Sequence, residues 1–306
     1  MSIYKLKFYP ESKEDIDFLY ECLSGNENPG VVYLLENNLD KVCWKNLSAN
    51  PSALYLLEKN KDKIDIGCLS LNENAIHLLE LELENNKEKI NWSFLSSNRN
   101  AIKLLEKNKD KIDWDELSSN PNAIKLLEDN KERIHWDMLS KNPSAIELLE
   151  KNLDKIDWYY LSKNPNAIHL LEENPEKIFW SSLSKNPNAI HLLEKNTDKI
   201  CWWSLSFNPN AIHLLEKNED EDKVLWAGLS HNPNAIDLLK KNQSKIDWGE
   251  LLINNPSIID YDYEKIKQTT HVFYEELIQK VFHPNRVEYY LLNYNYNIGI
   301  EEYQEV

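Results

Sequence analysis

The sequence predicts an all-α protein: an α-solenoid of about eleven 22-residue units, each one α-helix plus a short α or 3₁₀ helix, with terminal caps. Three observations carry that expectation. The motif N-P-x-A-I-x-L-L-E recurs, with copies beginning at Asn28, Asn50, Asn72, Asn98, Asn120, Asn142, Asn164, Asn186, Asn208, Asn232 and Asn255. The step is mostly 22 residues, a period that marks stacked repeats rather than independent domains. No period-2 apolar run of any length appears, and the recurring proline argues against a central strand.

Residues 1–27 read as an N-terminal cap. Ser12 can N-cap a helix with Asp15 three residues on, and Tyr20, Cys22, Leu23 and Ser24 form a degenerate W-x-x-L-S. An end repeat lacks one neighbour and is expected to show water a polar face.

Residues 28–259 are the tandem array, and Leu183 to Trp202, LSKNPNAIHLLEKNTDKICW, is its clearest unit. Asn186 before Pro187 predicts an N-cap with proline at the first helical position, where the missing N–H costs nothing. Ala189, Ile190, Leu192 and Leu193 then share one arc at about 100° per residue, with His191 pointing away. Asn196 is expected to end this helix in the left-handed conformation. In the second element, W-x-x-L-S, Trp and Leu share a face, and Asp65, Asn91, Asp113, Asp157 and Asp247 precede it as N-caps. Tryptophan fills the first slot from Trp44 to Trp248, Ile66 excepted, which predicts a ladder within the core.

The step lengthens to 26 residues after Asn72 and to 24 after Asn208, within the acidic stretches LELELENN and NEDEDK, which read as surface bulges. One unit cannot bury enough apolar surface to offset the entropy of ordering it. Stacking at about 10 Å per helix supplies the remainder. Residues 260–306 hold eight of the fifteen tyrosines and read as a C-terminal helical cap of two or three helices, the last from Pro284.

The pattern L-S-x-N-P-x-A-I-x-L-L-E resembles the leucine-rich repeat variant, whose units alternate an α-helix with a 3₁₀ helix. The resemblance covers the repeat core and no iron–sulfur domain, since the cysteines form no suitable cluster. The ending, with D-Y-x-x-I-K, E-E-L-I and H-P-x-R in order, together with the 22-residue units, resembles a short-repeat family abundant in large DNA viruses of protists. An Asn-, Lys- and Ile-rich composition suits an AT-rich genome. That resemblance implies no reaction and no catalytic residues.

Asp and Glu outnumber Lys and Arg by 51 to 35, for a formal charge of −16. Such a surface repels phosphate backbones, so nucleic acid is not expected as a partner. No apolar run approaches the roughly 18 residues of a membrane span, and the N-terminus has no apolar signal region. An intracellular location follows as the expectation, host cytoplasm or virion under the viral resemblance. Cys22, Cys43, Cys68 and Cys201 lack C-x-x-C spacing and read as free thiols, so neither metal nor cofactor is expected.

His77, His169, His191 and His213 occupy one helix position, yet equivalent sites on neighbouring units start about 10 Å apart, against about 2 Å from metal to ligand. They read as a polar face. His283 with Arg286 and Glu275 or Glu276 reads as helix capping. Six glycines leave no phosphate-binding loop, and Asp, Glu and Ser recur by repeat rather than at one special place. No enzyme is expected.

One departure from the repeat is informative. Before the ladder tryptophan, Phe179, Cys201 and Leu225 replace the capping residue, and Tyr159, Tyr160, Trp203 and Phe207 stand at nearby variable positions. Together they form a candidate apolar and aromatic strip for a protein partner, the alternative being that they fill core gaps or lie under the terminal helices. The expected function is a non-enzymatic protein-interaction scaffold, with a structural component of a virion or other assembly as the alternative.

Overall fold

The computed structural model describes residues 4–6, 16–83, 86–217 and 223–261. The chain divides into two compact units, Leu6–Asp260 and a smaller one of Met1–Lys5 with Tyr261–Val306. Expectations about Ser12 and Asp15, most of NEDEDK, and the segment holding Glu275, Glu276, His283, Pro284 and Arg286 lie outside the described residues.

Within Leu6–Asp260 short helices recur in one order. The Trp helix Trp180–Leu183 leads through a turn to the Leu helix Ile190–Lys195, followed by a 3₁₀ turn at Thr197–Lys199. Asn91, Asp113, Asp157 and Asp247 each cap a Trp helix as expected, for example by Asp157 Oδ1 accepting the Tyr160 N–H at 2.9 Å, and Asp65 caps the equivalent helix Ile66–Leu69. Among the described residues the all-α expectation meets one exception, a two-stranded sheet of three-residue strands, Tyr4–Leu6 with Ile259–Tyr261. Both segments are short and rich in aromatic or branched residues, which favour extended backbone.

The Leu helix is shorter than the motif suggests. Asn186 Oδ1 accepts the Asn188 N–H at 3.0 Å, and the Asn186 carbonyl accepts that of Ala189 at 3.2 Å. The chain therefore makes a tight turn through Pro187 before α geometry begins at Ile190. Nor is Asn196 left-handed: its φ of −134° and ψ of 53° carry the chain straight on, while its Nδ2 donates to the Leu192 carbonyl at 2.9 Å. The side chain satisfies a carbonyl that a helix C-terminus otherwise leaves open. Asn130, Asn152 and Asn174 do the same.

The core consists of the Leu of W-x-x-L, the motif Ala and the second Leu of L-L, as in Leu183, Ala189 and Leu193, all fully buried. The tryptophans are not in it. Each is half-buried, and in several units a lysine from the next 3₁₀ turn covers the exposed ring. Lys155 Nζ lies 4.6 Å from the Trp136 centroid, Lys177 4.5 Å from Trp158 and Lys199 4.8 Å from Trp180. An indole is too large for a four-residue helix to bury wholly, so the lysine takes the uncovered face by cation–π attraction.

Hydrogen bonds tie each unit to the one before. Asn186 is fully buried, and its Nδ2 donates to the carbonyls of Ser162 at 3.1 Å and Asn164 at 2.9 Å. Ser184 Oγ donates to the Trp180 carbonyl at 2.7 Å and accepts the Cys201 N–H at 3.0 Å. Outside this buried ladder runs an exposed one, in which Asn188 Nδ2 reaches the Pro165 carbonyl at 2.9 Å. The asparagine and serine side chains of the ladder are thereby paired, as their burial requires.

The buried ladder has no end. Asn50 donates to the Asn26 carbonyl at 2.8 Å, and Asn26 in turn donates to Leu252 at 2.9 Å and Asn255 at 3.1 Å. Asn28 Nδ2 closes the exposed ladder on the Pro256 carbonyl at 2.6 Å. Helix Ile16–Ser24 packs against both Trp44–Ala49 and Trp248–Asn254. The array is thus a closed circuit, in which residues 16–26 supply a Trp-type helix with a neighbour on each side. The first copy starts two residues earlier than the motif suggests: Asn26 takes the ladder position and accepts the Asn28 N–H at 3.0 Å, and Asn28, in the slot that Asn188 fills elsewhere, caps the helix Pro29–Leu35 by accepting the Gly30 N–H at 2.7 Å.

Candidate protein-contact surface

Two of three successive Trp helices carry Tyr159 and Tyr160 (Trp158–Leu161) and Trp203 (Trp202–Leu205); Phe179 and Cys201 sit at the N-caps of Trp180–Leu183 and Trp202–Leu205, Phe207 lies two residues past the last, and Leu225 sits at the N-cap of Trp226–His231. The residue after Trp and the one four further on share the outward side, as i and i+4 positions must. Tyr159, Phe179 and Trp203 are the exposed members, at 41%, 49% and 62%. Tyr160, Cys201, Phe207 and Leu225 are half-buried. The rings of Tyr159 and Phe179 meet edge to face at 5.8 Å, joining two units, and Tyr159 meets Tyr160 at 5.3 Å. Phe207 contacts His231 at 5.7 Å. Its ring also fills the space above Gly228, where a Cβ would stand 3.0 Å from the phenyl carbons.

Phe179, Cys201 and Leu225 occupy N-cap positions with no side-chain cap bond. At Phe179 the backbone compensates, its carbonyl accepting the Ser182 N–H at 3.0 Å. The amides of the three are held by Ser162, Ser184 and Ser206 hydroxyls of the preceding units, at 3.1, 3.0 and 3.0 Å. Loss of the cap therefore leaves the unit-to-unit bond intact, so these positions can vary without breaking the stack.

Lys163 and Lys185 belong to the same surface, and sequence reasoning passed over them. Lys163 Nζ lies 4.1 Å from the Tyr159 centroid and donates to its hydroxyl at 3.0 Å. Lys185 Nζ lies 4.6 Å from the Phe207 centroid. The hydrogen bond and charge of Lys163, with Lys185 further off, hold the Tyr159 phenol below its ordinary pKa. The signal was present in the sequence as lysine in the slot between Ser and Asn of three consecutive units, Lys141, Lys163 and Lys185.

Along the repeat, a line of histidines pairs with carboxylates of the preceding units. His77, His169, His191 and His213 place Nε2 3.1, 2.8, 2.9 and 3.0 Å from the carboxylates of Glu58, Glu150, Glu172 and Glu194, one unit back. Among the described residues no three His, Cys, Asp or Glu side chains converge as a metal site, and no helix is long and apolar enough to cross a membrane. The four cysteines are free thiols; burial, aided by Glu21, pushes Cys22 up to about 11, and burial also raises Cys68. Neither is a ready thiolate. An open cavity of about 660 Å³ lies near the closure, between Gly25, Leu71 and Ile253, with Glu73 and Arg99 paired at 3.4 Å on its wall.

No family model, curated protein or solved structure matches the chain.

Proposed function

We propose that this protein is an interaction scaffold that acts without catalysis, holding a protein partner on the strip of Tyr159, Tyr160, Phe179, Cys201, Trp203, Phe207 and Leu225. The carrying observation is the exposed aromatic cluster, large rings meeting across unit boundaries on helices whose backbones are locked by buried asparagines. Aromatic anchors on a rigid frame lose little entropy on binding and dominate contact energies. A role as a stacked structural component has less support, because Leu6–Asp260 pairs its first and last units with each other and leaves no terminal repeat face to template another copy. A location in the host cytoplasm or the virion is part of the same proposal and rests on the viral resemblance of the sequence alone.

Affinity capture with the full chain, beside a variant carrying Phe179→Asp and Trp203→Ala, tests the reading. A protein retained by the wild type and lost from the folded variant supports it. Identical retention by both defeats the strip as the recognition surface.

A further inference from the structure

On the strip, lysines stand beside exposed aromatic rings in a molecule of net negative charge. In a chain with 51 acidic residues and a formal charge of −16, the two Trp helices just before the strip carry Asp115 and Glu116, and Asp137. The stretches 158–163, 180–185 and 202–207, WYYLSK, WSSLSK and WWSLSF, carry none. They hold Lys163 and Lys185 instead. These lysines are positioned by contacts: Lys163 by the Tyr159 hydroxyl at 3.0 Å and Lys185 by the Phe207 ring at 4.6 Å. The lowered pKa of Tyr159 registers the same local positive potential.

We propose that Lys163 and Lys185, with the exposed rings of Tyr159, Phe179 and Trp203 on the same strip, form a binding site for an acidic linear peptide segment that carries an aromatic or large apolar side chain. This deepens the scaffold reading and rests on it, naming the chemistry of the partner. Charge complementarity identifies the occupant. The surrounding acidic surface repels a long polyanion, whereas a short Asp- or Glu-rich segment meets only the local cationic patch. The aromatic faces supply the apolar contact that charge alone does not. Edge-to-face packing leaves the Tyr159 and Phe179 rings about half exposed and ready to accept a third ring.

Fluorescence anisotropy on the full chain tests the site with three labelled probes: glutamates flanking one phenylalanine, the same peptide with lysine for glutamate, and oligothymidylate. The glutamate peptide is expected to bind, to weaken as salt rises, and to lose at least about tenfold in affinity with Lys163→Glu plus Lys185→Glu at unchanged melting temperature. Lys163→Gln with Lys185→Gln gives the same direction with a smaller loss, and serves if charge reversal disturbs folding. No binding of the glutamate peptide, binding indifferent to both lysine variants, or equal binding of the lysine peptide or oligothymidylate overturns the proposal. If captured protein is lost with Phe179→Asp and Trp203→Ala but kept with the lysine variants, the acidic segment falls and the scaffold stands. If neither pair of substitutions affects capture, the strip itself falls.

Discussion

Two junctions in the closed circuit solve the same packing problem with different chemistry. Between the units of Trp136 and Trp158, Asn164 donates to the carbonyls of Ser140 at 3.0 Å and Asn142 at 2.9 Å. Ser140 Oγ accepts the Asp157 N–H at 3.0 Å, and Lys155 covers the Trp136 ring at 4.6 Å. Where Trp248–Asn254 meets Ile16–Ser24, Asn26 keeps both carbonyl bonds, but the serine slot holds Leu252, which is 1% exposed. Apolar burial replaces the hydroxyl there. The asparagine is the element common to both, because it alone reaches carbonyls that neither flanking helix can satisfy, whereas serine can be exchanged for packing.

The contrast is open to measurement. Asn142→Ala removes buried bonds to the Ser118 and Asn120 carbonyls and to the Ser144 N–H. Several orphaned polar groups at the middle of the array should cost about 3–5 kcal/mol in urea unfolding. Asn26→Ala deletes equivalent bonds at the closure, yet its expected effect is local. Amide exchange should accelerate in residues 19–28 and 248–258, with the unfolding midpoint moved less than half as far, since the open array keeps its other junctions. Equal loss from both variants would mean that the closure is no weaker than the interior.

Trp136→Ala should cost about 2–3 kcal/mol, below the 3–5 typical of a fully buried aromatic, because the ring is half exposed beneath Lys155. A double-mutant cycle with Lys155→Ala should return about 0.5–1 kcal/mol of coupling. Zero coupling would reduce the lysine to a bystander. Leu252→Ser, which writes the ordinary junction into the closure, should lose about 2 kcal/mol, since the burial given up exceeds one hydrogen bond gained. Ser140→Ala should cost about 1–1.5 kcal/mol by calorimetry. Smallest is Phe179→Asp, expected to raise stability by about 0.5–1 kcal/mol through the cap that Asp157 already provides one unit earlier. A fall in melting temperature would show that Phe179 holds the core together rather than facing a partner.

Much of the architecture was legible because period and chemistry agreed. The 22-residue step, the A-I-x-L-L arc and the Asp caps before Trp each depend on interactions within one helix, and local propensity reports those directly. The Trp ladder was legible in position but not in burial. How much of an indole a neighbour covers depends on the distance between units, and the lysine that completes the cover lies 19 residues further on, at a separation that helical periodicity does not address. For the candidate surface, the substitutions at Phe179, Cys201 and Leu225 were visible as lost caps. The lysines were overlooked because a lone Lys in an exposed slot is ordinary, and only the contacts with Tyr159 and Phe207 give it meaning.

The sequence by itself determined a helical repeat with apolar faces that a single unit cannot bury, since periodicity along the chain is a one-dimensional property. Whether the stack ends or returns on itself was decided only in three dimensions. Closure depends on the small rotation between neighbours accumulating to a full turn, and on Asn26 meeting the carbonyls of Leu252 and Asn255 across 226 and 229 residues of chain. A rotation of that kind is set by how side chains of adjacent units interdigitate, a quantity that no single unit contains.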